Sequence, residues 1–481
     1  MTAARTRPCD AEAIRSARGA ACTARQQRWV LAATILASTI AYVDESVVNV
    51  ALPAIGRDLA ASPAALQWVI NAYTLCLAAF LLVGGAAGDR LGRRRIFIAG
   101  VAAFGVASLG CGLSRDIAPL IAARAVQGAG AALLIPCSLA LIGAAFPEGE
   151  RGRAIGTWAG FSAIAAAIGP LLGGWIVDHL AWQAIFFINP FLCLAALGIA
   201  WRHLPESVDP EAPAGIDWPG ALLAFVGLAG VAFGLIALPD TGLLDATTAA
   251  TLAGGAVLLA IFVWHEARAP APMMPLGLFR SATFSGVNAL TFLLYGALGG
   301  ALFLLPFALI SVHGYSATMA GTVFLPFTAI MAVLSRWSGG LLDRFGARLP
   351  LVTGPAIVAG GFVLFAVAGP DTSYAMAFLL PVSIVGLGMA VTVAPLTATV
   401  IAAVPGHQTG VASGINNAVS SVASLFAIAA FGALALHGSL AEGIRLAMLV
   451  AAGLAGAAAV CAAVTIRPQA AVKTAGGAPG R

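Results

Sequence analysis

The chain has 481 residues, 60% of them hydrophobic and only 9% charged, with a mean hydropathy of +0.95 and a formal net charge of +5. A soluble domain carries about 25% charged residues, so a water-soluble fold is excluded and a polytopic membrane protein is required. The bases lie in short loops, which makes the charge a topology signal and argues against a nucleic-acid partner.

Residues 1–28 carry Arg5, Arg7, Arg15, Arg18, Arg25 and Arg28 and read as a cytoplasmic basic leader. The apolar run that follows is too long for a cleaved signal segment and reads as an uncleaved anchor. Fourteen apolar segments follow in all, from 29–53 to 444–466, and are predicted to be helices because backbone groups in lipid must be satisfied within the segment. Two of them, 282–311 and 374–403, are long enough to include loop or tilt. The seven cysteines show neither CxxC spacing nor a nearby histidine cluster, so no metal site is expected.

The first segment contains two acids, Asp44 and Glu45. Only fifteen uncharged residues separate Trp29 from Val43 inclusive, short of the ~20 needed to span. Either the helix runs through the acids to Pro53, or it is short and the acids sit at the outer interface. In the first case Asp44 is ~13 Å below the outer end, and Arg124, seven residues into the fourth segment, is ~10 Å below the same surface. Arg124 would then make a buried acid tolerable. A carboxylate that gains and loses such a partner is a natural proton carrier, because desolvation favours its protonated form and the arginine its ionised form. Asp44 is the first choice and Glu45 the alternative. The two are about 100° apart on a helix and cannot face one cavity equally.

Residues 84–95, GGAAGDRLGRRR, lie between the second and third segments. Arg90, Arg93, Arg94 and Arg95 pin this loop inside, Gly85 and Gly88 allow close approach of a neighbour, and Gly92 permits a tight turn. Asp89, one acid among bases, invites a specific partner. The string recurs at 339–348, GGLLDRFGAR, where Gly339, Asp343, Arg344, Gly346 and Arg348 repeat it at an offset of 343 − 89 = 254. Pro147, Gly152, Ala154 and Gly156 recur as Pro405, Gly410, Ala412 and Gly414, an offset of 405 − 147 = 258. The chain is an internal duplication of about 255 residues.

With both termini inside, the inner segments hold twenty of the 25 Lys and Arg residues and the outer loops hold three, Arg57, Arg115 and Arg445. Arg124 and Arg336 fall within helices, the latter near an inner end, where its side chain can snorkel. The duplication equates segments 1–6 (29–202) with segments 9–14 (282–466). Segments 7–8, with their Pro-rich charged connectors, form an insertion over 203–281, and 467–481 is a cytoplasmic tail.

Tandem six-helix bundles with a GxxxDRxGRR loop in each half resemble the major facilitator superfamily, and fourteen spans with a central extra pair resemble its drug:proton antiporter branch. The resemblance runs from Trp29 to Arg467. DESVVNVALP (44–53), with Asp44, Asn49 and Pro53, is similar to the branch's first-helix motif, and RAVQGAGAA (124–132), with Arg124 and Gln127, to its fourth-helix motif. Gly160 followed by GPLLGG (169–174), containing Gly169, Pro170, Gly173 and Gly174, is similar to the fifth-helix antiporter motif. WQAIFFINP (182–190) is similar to the opening of the sixth helix. Glu45, Ala165 and Gln183 depart from the branch's usual residues.

The resemblance implies a proton-coupled antiporter that exports amphipathic, cationic or aromatic drugs across a bacterial inner membrane by alternating access. It needs no cofactor beyond the proton gradient, and its partners are a small-molecule substrate, protons and the bilayer, with a periplasmic adaptor and outer-membrane channel as a further conceivable assembly. It also implies that the 84–95 loop gates transport by docking on the opposite bundle. Close helix packing alone would equally account for the small residues of 160–174. Asn49, Gln127, Trp158, Phe161, Asn288, Tyr295, Asn416 and Asn417 are candidates to line the cavity, although helix–helix hydrogen bonding or core packing would explain several of them. A dedicated exporter of one endogenous metabolite, such as an antibiotic or siderophore, is the same-fold alternative. A membrane-embedded enzyme is disfavoured, since HExxH, GxSxG and Walker strings are absent from the sequence.

Overall fold

The structure is a computed structural model that describes residues 22–209, 215–368, 372–405, 408–436 and 438–466, without the side chains at 148, 149, 163, 167, 335–337, 339, 340 and 343. Residues 1–21 of the basic leader, 210–214 of the first connector and the tail 467–481 lie outside it.

Fourteen helices among the described residues are long and apolar enough to cross a bilayer, and the protein is an all-α polytopic membrane protein. The first six are α1 (Ala24–Asp58), α2 (Pro63–Leu91), α3 (Arg93–Leu113), α4 (Ile117–Ala145), α5 (Glu148–His179) and α6 (Ala184–His203). The central pair is α7 (Trp218–Thr241) and α8 (Ala246–Glu266). Then come α9 (Ala282–Phe307, prolonged by a π-turn over Ala308–Val312), α10 (Ala317–Thr322 and Phe324–Phe345), α11 (Arg348–Val367), α12 (Leu380–Ala402, preceded by a π-turn over Ala375–Leu379), α13 (Thr409–Ala435) and α14 (Leu440–Thr465). Side chains cap many of the starts: Ser62 precedes Pro63, Asp245 accepts from Thr248, and Ser439 forms a capping box with Glu442.

The sequence leaves the length of the first helix open, and the structure makes it one unbroken helix. α1 runs through both acids and past Pro53 to Asp58, and it begins five residues earlier than the apolar run because Thr23 and Gln26 form a capping box.

The duplication is visible in the packing. In the first half α4 packs on α2 and α3, α1 on α5 and α6, and α3 on α6; in the second half α12 packs on α10 and α11, α9 on α13 and α14, and α11 on α14. Both repeated loops turn on a glycine at positive φ, Gly92 at 112° and Gly346 at 70°, conformations that cost a residue with a Cβ ~1–3 kcal/mol. These loops mark the basic end of the molecule, and the opposite end is called the far end.

The inserted pair forms a hairpin. Gly227, Gly230 and Gly234 of α7 meet Thr251, Leu252, Gly255 and Leu259 of α8 so closely that a Cβ on Gly255 would stand 2.7 Å from the Val231 nitrogen, the small-residue packing expected in lipid. α7 also packs on α2 and on α13, with Phe225 stacked on Phe80 of α2 at 5.5 Å. The hairpin therefore lies across one of the two seams between the bundles.

Candidate transport site

Asp44 lies 20 residues into α1 and Arg124 seven residues into α4, each only 1% exposed. Charges at this depth persist only when each meets a partner and its remaining hydrogen-bonding capacity is filled. Arg124 Nη1 pairs with Asp44 Oδ2 and donates to Gln127 Oε1 at 2.7 Å, while Nε donates to the Val69 carbonyl of α2 at 3.1 Å. The guanidinium lies 4.4 Å from the centre of the Tyr73 ring, within cation–π range. The other carboxylate oxygen, Asp44 Oδ1, accepts from Gln127 Nε2 at 2.9 Å and from Asn189 Nδ2 of α6 at 2.7 Å. Asn189 is itself placed by Ser108 of α3, whose hydroxyl accepts from Asn189 at 3.0 Å and donates to the Phe186 carbonyl at 2.9 Å. One ion pair thus ties together α1, α2, α3, α4 and α6.

Glu45 is in a different situation. It sits on the half-buried face of α1 with Tyr42 and Asn49, residues three and four positions away that share a helix face. Tyr42 is close enough to both Glu45 and Tyr295 of α9 to feel each electrostatically, so this stripe faces the opposite bundle. Asn49 Nδ2 donates to the Glu45 carbonyl at 3.2 Å, but the Glu45 carboxylate has no hydrogen-bonding partner among the described residues. Of the two neighbouring acids, Asp44 is saturated with donors, whereas the Glu45 carboxylate meets none among the described residues.

The glycine motif of α5 forms contacts that close the far end. A Cβ on Gly169 would stand 1.9 Å from Ser46 Oγ of α1, and one on Gly173 would stand 3.0 Å from Val47. Towards the other bundle, a Cβ on Gly174 would lie 2.2 Å from the Ala317 carbonyl, and one on Gly321 of α10 would lie 2.2 Å from the carbonyl of Pro170. Asp178 completes the clasp by accepting from the free backbone N–H groups of Ala317 at 3.0 Å and Thr318 at 2.7 Å, at the α10 N-terminus. A Cβ on Gly160, by contrast, would meet nothing within 4 Å, and the same holds for Gly152, Gly156 and Gly410. The bundles meet tightly at the far end, while on the basic half of α5 the glycine face meets no neighbour among the described residues.

Among the described residues the hydrogen bonds of the 84–95 loop run to its own bundle, where the resemblance implies docking on the other. Asp89 pairs with Arg93 one turn on, at 2.7–2.8 Å. The loop is fastened to the strap that follows α6: Arg93 N–H donates to the Ser207 carbonyl at 2.9 Å, Arg94 N–H to Glu206 Oε1 at 3.0 Å, and Asp209 N–H to the Asp89 carbonyl at 2.8 Å. Arg94 also reaches the Trp201 carbonyl, and Arg90 and Arg95 are exposed. The physical reason is proximity, since the strap of its own bundle supplies Glu206 and backbone carbonyls beside the loop. Close approach of α2 and α4 falls to Gly84 and Gly88, whose Cβ atoms would lie 2.1 Å from the Ala132 carbonyl and 2.5 Å from Cys137 Sγ; Gly85 would make only ordinary contact with Pro136. In the repeat, Arg344 is exposed, and the side chains of Asp343 and Arg336, like the position of a Cβ on Gly339, lie outside the described residues.

Several proposed cavity residues are placed elsewhere. Gln127 is fully buried in the Asp44 cluster. Trp158 packs in the first bundle's core and donates to Ser38 Oγ of α1 at 3.0 Å. Asn416 of α13 donates to Asn288 Oδ1 and Thr291 Oγ1 of α9, at 3.1 and 2.8 Å, so this pair joins helices. Phe161 and Asn417 are exposed. Asn49 and Tyr295 remain on the inter-bundle face. Sequence reasoning passed over Asn189, Ser108, Tyr73, Asp178 and Glu206; for Asn189 and Ser108 the available signal was a polar residue within an apolar run.

Two repeated bundles, an inserted hairpin and a buried ion pair between α1 and α4 are the architecture of a membrane transporter. Residues 34–428 match the Major Facilitator Superfamily, and the chain belongs to that superfamily; it is a transporter and not an enzyme. It is 36% identical over 409 residues to the multidrug resistance protein Stp of Mycobacterium tuberculosis, covering 85% of this chain and 76% of that one. It is 37% identical over 424 residues to the cephamycin export protein CmcT of Amycolatopsis lactamdurans, covering 86% and 87%. The crystal structure of a D-xylose–proton symporter is similar at a TM-score of 0.67 and 14% identity, covering 92% of this chain and 98% of that one, a likeness in fold alone.

Proposed function

We propose that this transporter exports amphipathic, cationic or aromatic drugs across a bacterial inner membrane in exchange for protons, with the basic end and both termini in the cytoplasm. The observation that carries the reading is the contrast between Asp44, held by Arg124, Gln127 and Asn189, and Glu45, whose carboxylate faces the inter-bundle space with no bonding partner among the described residues. A desolvated carboxylate beside a fixed arginine can take a proton or release it to a cationic substrate, because each compensates the same charge. Glu45 is therefore the exchanging group, and the Asp44–Arg124 pair holds the field around it. In this reading the small-residue contacts of the far-end clasp are a surface that must part for release. The names of the multidrug and cephamycin relatives support drug or antibiotic export.

The test is reconstitution into liposomes with a panel of fluorescent dyes and antibiotics. Extrusion should collapse on adding a protonophore, and substrate should trigger proton release from de-energised protein; extrusion that ignores the protonophore overturns the coupling. The cephamycin relative favours a second reading, a dedicated antibiotic exporter. A panel in which one chemical family alone is extruded would establish it.

A further inference from the structure

At the basic end, the foot of the inserted hairpin brings together two buried carboxyl groups that the transport site does not use. Asp217 caps the start of α7, its side chain only 5% exposed. Its Oδ1 accepts from Gly220 N–H at 2.9 Å and from His265 Nε2 at 2.8 Å. An ionised carboxylate only accepts, so Nε2 carries the hydrogen. Glu266, the last residue of α8, is 3% exposed, and its Oε2 accepts from the Met274 N–H in the connector to α9 at 2.8 Å.

Each carboxyl keeps one oxygen buried and unpartnered, Asp217 Oδ2 and Glu266 Oε1. Both point into the gap left by the missing side chain of Gly220, 2.5 and 2.9 Å from where a Cβ would stand. The charged groups bearing on Glu266 are Asp217 of α7 and its own neighbour His265, and the connector contributes only the Met274 N–H. Among the described residues no lysine or arginine pairs with either acid. Two ionised carboxylates with facing orphan oxygens in a site shielded from water repel strongly, and one hydrogen between them removes both the repulsion and the two unsatisfied atoms.

We propose that Asp217 and Glu266 share one exchangeable proton, forming a proton-binding site separate from Asp44 and Glu45 that holds the hairpin foot closed. Asp217 Oδ1 has two donors and Glu266 has one, so Asp217 is the ionised partner. The proton sits on Glu266 Oε1 and is donated to Asp217 Oδ2. Binding adds one proton and forms one O–H···O hydrogen bond; release leaves two carboxylates and opens the foot. The foot joins the connector from the first bundle, the end of α8 and the connector to α9, and α7 packs on both α2 and α13. Its closure therefore bears on the seam between the bundles, and the site would answer to pH on the basic side whatever the transport site exchanges.

Infrared spectra of the full-length protein in lipid should show a protonated-carboxyl band that is lost in Glu266→Gln and in Asp217→Asn but kept in Glu45→Gln. Hydrogen exchange over 216–220 and 267–274, corrected for the intrinsic pH dependence, should rise about tenfold per pH unit once the site titrates, as linkage to one proton requires. In Glu266→Gln, whose amide can still donate to Asp217, it should stay flat. An unchanged band in both variants, or the same pH-dependent rise in Glu266→Gln, overturns the proposal. Exchange that follows added magnesium instead of pH would make this a metal site and overturns it equally.

Discussion

Substituting the two adjacent acids of α1 separately should produce opposite defects. Asp44→Asn leaves the Arg124 guanidinium at 1% exposure with no counter-charge, and Gln127 and Asn189 lose their charged acceptor. Removing one partner of a buried pair costs ~3–5 kcal/mol because the other charge stays buried. Glu45→Gln removes no hydrogen bond, so its cost in stability should be below ~0.5 kcal/mol, as for a substitution away from any such network. Denaturant titration of the purified protein reads the first effect. The double variant Asp44→Asn/Arg124→Gln should recover most of the loss, since removing both charges leaves neither buried without its partner. Substrate-induced proton release from proteoliposomes, scaled to folded protein, reads the second effect and should vanish in Glu45→Gln. Wild-type proton release from Glu45→Gln would return the proton to Asp44, and wild-type stability of Asp44→Asn would show that the ion pair is not the bundle's tie.

Gly321→Val places side-chain atoms against the Pro170 carbonyl, already 2.2 Å from a bare Cβ, so the far end should stay open and a cysteine at Thr318 should label faster from the far side; unchanged labelling would mean the clasp is not the closed gate. Gly92→Ala meets both a φ of 112° and Glu206 Oε1 at 2.7 Å; the strain alone is ~1–3 kcal/mol, and limited proteolysis at 204–209 should accelerate as the strap detaches. A single cysteine at the exposed Arg95, on a cysteine-free background, should resist impermeant reagents in intact cells and react in inverted vesicles; labelling in intact cells would reverse the proposed orientation.

Much of this protein was determined by its sequence alone, for a physical reason specific to membranes. Lipid offers backbone groups no partner, so apolar length implied fourteen helices, and the repeated Asp–Arg–x–Gly loops revealed the two bundles without reference to packing. Even the meeting of Asp44 with Arg124 followed from depth, because two charges at one level in hydrocarbon must find each other. Tertiary structure decided what depends on azimuth and on unrelated segments coming together. It turned Asp44 towards Gln127 and Asn189 while leaving Glu45 free, it moved Gln127 and Trp158 from the expected cavity into the first bundle's interior, and it set the 84–95 loop on Glu206, 112 residues from Arg94. The spacing of two consecutive spans already makes α7 and α8 antiparallel, but only their packing turns Asp217 and Glu266 towards the same gap at Gly220. A one-dimensional pattern records depth in the bilayer, whereas rotation about each helix axis is set by packing against neighbours.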